Sequence, residues 1–337
     1  MSDIHRKTEE NGVIDLKENL KEMPRNMHIF SLSMRALYTD KAVGTSTSAA
    51  RKFRKLRDDT RDDAMVYLKC ILPITTKFVM SIKEYFTNYD ALSYEEWCEM
   101  LPDILKETTT YKELAQTVKG MYEEMMVSLK RRQDEAKIIM TGFKDLQRKF
   151  EKQKEELEGT AKKKMDWAIG LAFVPYVNMI AIPLLALSAN DDMAKAVAKQ
   201  SESSIQEAAA LVVAETLIPA LTNFIEGLTK AAGFFQVMET ELQSFEENSA
   251  IESPKKLHYM RIRNEAKELK SLCQAFYAVL PAVRTDFEAI PDEGTDQNYV
   301  DKWLEKQLAE TEKKRSMVQK FLLSILTANT GSKEEAK

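Results

Sequence analysis

The chain has 337 residues with only 10 Gly and 9 Pro; it is poor in the residues that punctuate turns and sheets. Lys, Glu, Ala, Leu and Met dominate instead and favour helix, so an all-α chain of few, long elements is expected. The net charge of -4 leaves no basic footprint for nucleic acid, and Cys70, Cys98 and Cys273 are too scattered for a disulfide framework.

The first residues, MSDIHRKTEENGV, carry charge but no apolar core and no cleavage pattern. They do not read as a signal peptide, so synthesis in soluble form in the cytoplasm and release by another route are expected. A first helix is predicted over about 14–38, with apolar positions Ile14, Leu20, Met23, Met27, Ile29, Phe30 and Leu37 and a kink at Pro24. After the Gly44–Ser48 loop a second helix, about 49–89, contains Pro73. Its start is basic, Arg51 to Arg57, and Asp58, Asp59, Asp62 and Asp63 follow at once. These charges read as a solvated helix face with intrahelical pairs rather than as a cation site.

Tyr94 to Leu105 reads as a short segment. From about Thr108 to Met165 there is no Pro, and Leu114, Val118, Met121, Met125, Leu129, Ala136, Ile139, Phe143, Leu146, Phe150 and Leu157 recur mostly every three or four residues. That is a heptad seam with a stutter, the mark of a helix packed lengthwise. Nearly sixty residues of helix span on the order of 85 Å, too long for a rounded globule. The pattern then stops. Trp167 to Ala189, WAIGLAFVPYVNMIAIPLLALSA, carries no charge, and Asn190-Asp191-Asp192 offers caps for a new helix to about Asn248. Its seam is expected at Leu211, Ala214, Ile218, Leu221, Ile225, Leu228, Ala232, Phe235 and Leu242, with a kink at Pro219. Two further helices, about 254–289 (Leu257, Leu269, Leu272, Phe276, Val279, Val283, Phe287) and about 296–327 (Tyr299, Leu304, Leu308, Met317, Phe321, Ile325), flank the turn Pro291–Gly294.

Two long amphipathic helices on either side of a short uncharged insert are expected to pack antiparallel, with the insert at the far tip. A single permanent membrane span, a hairpin filling an ordinary core, and a conditional membrane segment all fit an uncharged run of this length. Pro175, Pro183 and Asn178 interrupt a single span, and a slender tip offers little core. The conditional segment is therefore preferred. The inserting side chains are then Trp167, Ile169, Leu171, Phe173, Val174, Pro175, Tyr176, Val177, Met179, Ile180, Ile182, Pro183, Leu184, Leu185 and Leu187. Lys162, Lys163 and Lys164 precede them, suited to anionic headgroups, and Trp167 and Tyr176 suit an interface. The organisation expected is one elongated domain, 1–337: a tail bundle (14–165 and 191–328) and a hairpin head (166–190). About 23 residues are too few for two helical spans, so the flanks 150–166 and 190–214 would have to join in, and a hole would need several copies in a ring.

No catalytic constellation is present: His5, His28 and His258 are scattered, and HExxH, GxSxG and GxxxxGK[ST] are absent. Neither enzymatic activity nor a metal or cofactor is expected.

In this layout the chain resembles the α-helical pore-forming toxins of the cytolysin A superfamily, and within it the B component of binary xenorhabdolysin-type toxins. The resemblance lies in chain size, the missing signal peptide and the helix–apolar hairpin–helix centre with Pro175 and Pro183 at its apex. It implies a soluble monomer that joins a second toxin component on a target-cell membrane, inserts Trp167–Ala189 and assembles with other copies into a ring pore. The first helix departs from single-component members, whose N-terminal helix is apolar, because Lys17, Glu18, Lys21, Glu22, Arg25 and Arg35 stud it.

Overall fold

Each long helix is amphipathic at a spacing of three and four, so each needs neighbours along its length to cover one face. The structure, a computed structural model, describes residues 2–38, 48–157, 209–249 and 255–312, together with 320, 321, 323 and 324. Among the described residues all regular structure is helical. Helix α1 is Ser2–Leu37, α2 Ser48–Val66, α3 Leu72–Ala91, α4 Tyr94–Leu157, α5 Ile218–Ser249, α6 Lys256–Glu288 and α7 Gln297–Glu312. A π-helical turn, Tyr67–Ile71, joins α2 and α3 into one rod. A second, Val213–Leu217, joins α5 to helical residues 209–212.

Both π turns end two residues before a proline, Pro73 and Pro219. Proline offers no N–H to the carbonyl four residues back, and its ring crowds that carbonyl; the wider π turn relieves both. The closing bonds are Leu72 N–H to the Tyr67 carbonyl and Ile218 N–H to the Val213 carbonyl. Pro24, Pro102 and Pro281 sit inside helices without a π turn.

The helix predicted from about 108 begins earlier, at Tyr94, and absorbs the supposed separate segment. The reason is a capping box: Glu96 N–H donates to Ser93 Oγ (3.2 Å), and Ser93 N–H donates to Glu96 Oε2 (2.8 Å). At 64 residues, α4 is about 95 Å long. It is the longest of the described helices.

The rod α2–α3 runs antiparallel to the first half of α4, tied by Tyr85–Thr108, Thr75–Tyr122 and Asp63–Ser128. Helix α5 is antiparallel to α4 on another side. Helix α1 lies antiparallel to α5, through Asn26–Glu226, and parallel to α6, through Lys17–Ser271 and His28–Asp286. Its buried seam, Leu16, Leu20, Met23, Met27, Phe30, Met34 and Leu37, is a strict heptad. One aromatic ring from each long rod meets in a buried hub: Phe30, Tyr67, Tyr122, Phe224 and Phe287, with neighbouring centroids 4.3–6.1 Å apart. At one end, Trp97 Nε1–H donates to Tyr89 Oη (2.6 Å), and Tyr94 and Tyr259 stack around them. Leu257, a seam residue by spacing, is 76% exposed, because Tyr259 and Ile262 take the inward face of α6.

Candidate functional site

The seam of α4 read from the sequence is buried from Leu114 through Phe143, and its partner is α5. Polar rungs edge this pair: Thr109–Glu246, Lys112–Gln243, Gln116–Glu239, Lys119–Gln236, Met126–Thr229 and Gln133–Thr222. They recur at intervals of three, four and seven on both helices, the spacing of a left-handed antiparallel coiled coil. While the ion pairs Lys112–Glu246 and Lys119–Glu239 centre on Met179, these six pairs share one midpoint in the sequence, between Val177 and Asn178. That midpoint is the centre of the uncharged stretch Trp167–Ala189. Helix α4 continues past Phe143 to Leu157, and the chain is described again from Ala209. The predicted inserting residues, Trp167 through Leu187, and the headgroup lysines Lys162, Lys163 and Lys164 lie outside the described residues, as do the head boundaries 166–190.

Lysines on α4 face carboxylates on α5. Lys119 reaches Glu239 (2.7 Å), and Lys112 pairs with Glu246. The Lys119 hydrogen bond holds the Glu239 carboxyl below its usual range.

About three helical turns before Phe143, a buried polar cluster joins α2, α4 and the start of α7. Asp63, with no exposed surface, accepts from Arg132 Nε (3.3 Å), Ser128 Oγ (3.2 Å) and Tyr299 Oη (2.6 Å). Arg132 Nη1 also donates to Asp59 (3.1 Å). Arg61 donates to the carbonyls of Glu293 and Gly294, both at 2.6 Å, and Asp296 N–H donates to Asp62 (3.1 Å). Gly294, at φ 78°, takes the left-handed conformation that brings its carbonyl there. Burial raises the carboxyls of Asp63 and Asp62 above the ordinary range; Arg132, Tyr299 and Ser128 only partly offset this at Asp63. Asp58 and Asp59 keep the intrahelical pairs expected of a solvated face, with Arg57 and Lys55, but Asp62 and Asp63 are buried in an interhelical clasp. Sequence reasoning missed it because its partners are distant in the chain: Arg132 lies 69 residues from Asp63 and Tyr299 lies 236 away.

Among the described residues no group of His, Cys, Asp or Glu has metal-holding geometry. Burial pushes the Cys70 thiol up to about 12 and that of Cys273 higher, so neither is an activated nucleophile. Two helices among the described residues, Ala50–Ala91 and Ala209–Glu247, are long and apolar enough to cross a membrane, and each buries half or more of its most apolar window in the bundle.

These features define an all-α bundle of long helices with a coiled-coil stem. No family model matches the chain, and no curated protein matches it in sequence. Among solved structures it is similar to soluble SmhA of the tripartite α-pore-forming toxin Smh from Serratia marcescens, at TM-score 0.53 and 10% identity, covering 82% of this chain and 95% of that one. Soluble AhlB of the tripartite toxin AHL from Aeromonas hydrophila (TM-score 0.45, 10% identity, 85% of this chain and 99% of that one) and the SmhB pore (0.35, 14%, 91% and 95%) also match. The likeness to SmhA is one of fold.

Proposed function

We propose that the chain is a subunit of a pore-forming toxin: a soluble monomer that inserts a central apolar hairpin into a target-cell membrane and assembles with other copies, and with a second component, into a ring pore. The observation that carries this reading is the register of the stem. Six rungs along α4 and α5 share one midpoint, and that midpoint centres the uncharged stretch. A hairpin turning near Val177, with Pro175 and Pro183 at its apex, puts Trp167 through Leu187 at the tip of a tail bundle (14–165 and 191–328). Lys162, Lys163 and Lys164 then sit at headgroup depth.

Transferring about twenty apolar side chains to lipid is worth tens of kcal/mol at about 25 cal/mol per Å². A rearrangement of the stem is therefore within reach. The fold of SmhA, a toxin component by its description, supports the same class. In this reading the protein acts outside the cell that makes it, as a lytic subunit rather than an enzyme.

The test is dye release from liposomes, with the chain alone and with a candidate second component. Leakage is expected from the native chain once its partner is present. Ile169→Asp with Leu185→Asp should keep the helical circular dichroism and abolish leakage, because each charge costs about 2.5–3.5 kcal/mol at bilayer depth. Binding to vesicles without leakage would make the chain a membrane tether instead. Undiminished leakage by the double mutant would place insertion elsewhere.

A further inference from the structure

The two π turns share a cause but not a setting. Tyr67–Ile71 is pinned: the Tyr67 ring packs against Tyr122, Phe224 and Phe287 in the hub. Val213–Leu217 takes no part in the hub: its Val213 and Leu217 are buried against α1 and α4 by aliphatic side chains alone. It lies just beyond the last rung, Gln133–Thr222, where α5 approaches the root of the stem. From Leu242 back to Leu217 the buried face of α5 is regular, through Met238, Phe235, Ala231, Leu228, Phe224 and Leu221. Continued as α-helix, the same steps lead to Ala214 and Ala210. The π turn inserts one extra residue, so Val213 is buried and Ala214 half-buried, and Val212 is turned inward. Residues 209–214, Ala-Ala-Leu-Val-Val-Ala, are all apolar. Either register therefore buries only apolar side chains, and sequence does not penalise the alternative.

We propose that Val213–Leu217 is a one-residue register switch at the root of the stem. Closing it to α-helix rotates the chain ahead of it by about 100° and slides it about 1.5 Å along α4, while the rungs from Thr222 to Glu246 stay in place. Val212 then moves from its buried site to the half-buried one that Leu211 holds. The switch re-aims whatever the chain carries before Ala209. It is a property of this helix and stands whether or not the protein perforates membranes.

Pro219 opposes closure, because the Glu215 carbonyl would need an N–H at position 219. Thiols introduced as Val212→Cys and, as a control for global unfolding, Ala231→Cys, in a Cys98→Ser background that keeps only the buried Cys70 and Cys273, read the equilibrium by maleimide labelling of the folded full chain. Val212→Cys is expected to react at least tenfold faster than Ala231→Cys. Adding Pro219→Ala should raise the Val212→Cys rate severalfold further and leave the control unchanged. Simple fraying predicts the reverse, since alanine strengthens the helix; a slower or unchanged rate would overturn the proposal. Deleting Ala214 removes the extra residue, so the helix closes with Val212 and Val213 held at the inward sites the π turn gives them. That variant should keep Tm within a few degrees, and its Val212→Cys should label no faster than Ala231→Cys, with or without Pro219→Ala. A deletion variant that does not fold, or one whose Val212→Cys still labels as fast as in the full-length chain, counts against the proposal.

Discussion

Asp63 is a carboxylate with no exposed surface, faced by Arg132 and Ser128 from α4, Tyr299 from α7, and Asp59 and Asp62 from its own helix. Breaking a buried ion pair from one side leaves an uncompensated charge. Arg132→Met is therefore expected to destabilise the fold by about 3–5 kcal/mol in denaturant titration, and adding Asp63→Asn should recover a large part of that loss. The pH dependence has a definite sign. Burial raises the Asp63 carboxyl above the 3.8 of the unfolded chain, so the folded state binds the proton more readily. Its contribution is fully present below that unfolded value and is lost as pH rises through the raised one. Stability of the native chain minus that of Asp63→Asn should therefore fall with rising pH; a flat or rising difference would show that Arg132 outweighs burial. None of this could be read from the four aspartates alone, because intrahelical spacing is blind to partners on α4 and α7.

At the scale of the helix, register in the α4–α5 coiled coil is set by charge as well as by the seam. Lys119 and Glu239 are each about one-fifth exposed, so their pairing is worth on the order of 1 kcal/mol. Lys119→Glu should lower stability by about that amount, more at low salt than at high. The exchange Lys119→Glu with Glu239→Lys should restore most of it, and a double mutant no better than the single one would remove charge as a determinant of register. The α4 seam was legible because the helix stays regular from Leu114 to Phe143, so spacing alone finds its buried face. On α5 the same reasoning holds at Leu221, Leu228, Phe235 and Leu242 but fails at Leu211, Ala214, Ile218, Ile225 and Ala232, which are half-buried. Two causes act there. The π turn displaces the face by one residue, and α5 is covered by α1 as well as α4, which widens its buried arc to include Ala220, Phe224, Ala231 and Phe234. Close approach matters too: a Cβ on Gly227 would lie 2.8 Å from Met27 Cε, a contact that the sequence of α5 does not disclose.

For the molecule as a whole, the question is whether the bundle depends on the segment it is proposed to carry. The hub joins all five long rods, and the clasp fixes α7 to α2 and α4, both within the described helices. If these interactions suffice, the stem beyond them is dispensable for folding. The last rung, Gln133–Thr222, shows where the pairing of α4 with α5 is already in place, and residues 149–206 all lie beyond it. Replacing residues 149–206 with a short Gly-Ser turn should therefore give a folded helical monomer whose Tm lies within about 5 °C of the native chain, a shift worth about 2 kcal/mol or less for a domain of this size. The same protein should release no dye from liposomes, even with the second component present. A product that cannot fold would mean that the excised residues belong to the core, and the separation of tail from head would fail with it. A folded product that still leaks would assign the membrane chemistry to the tail, where the apolar windows of Ala50–Ala91 and Ala209–Glu247 are the places to look.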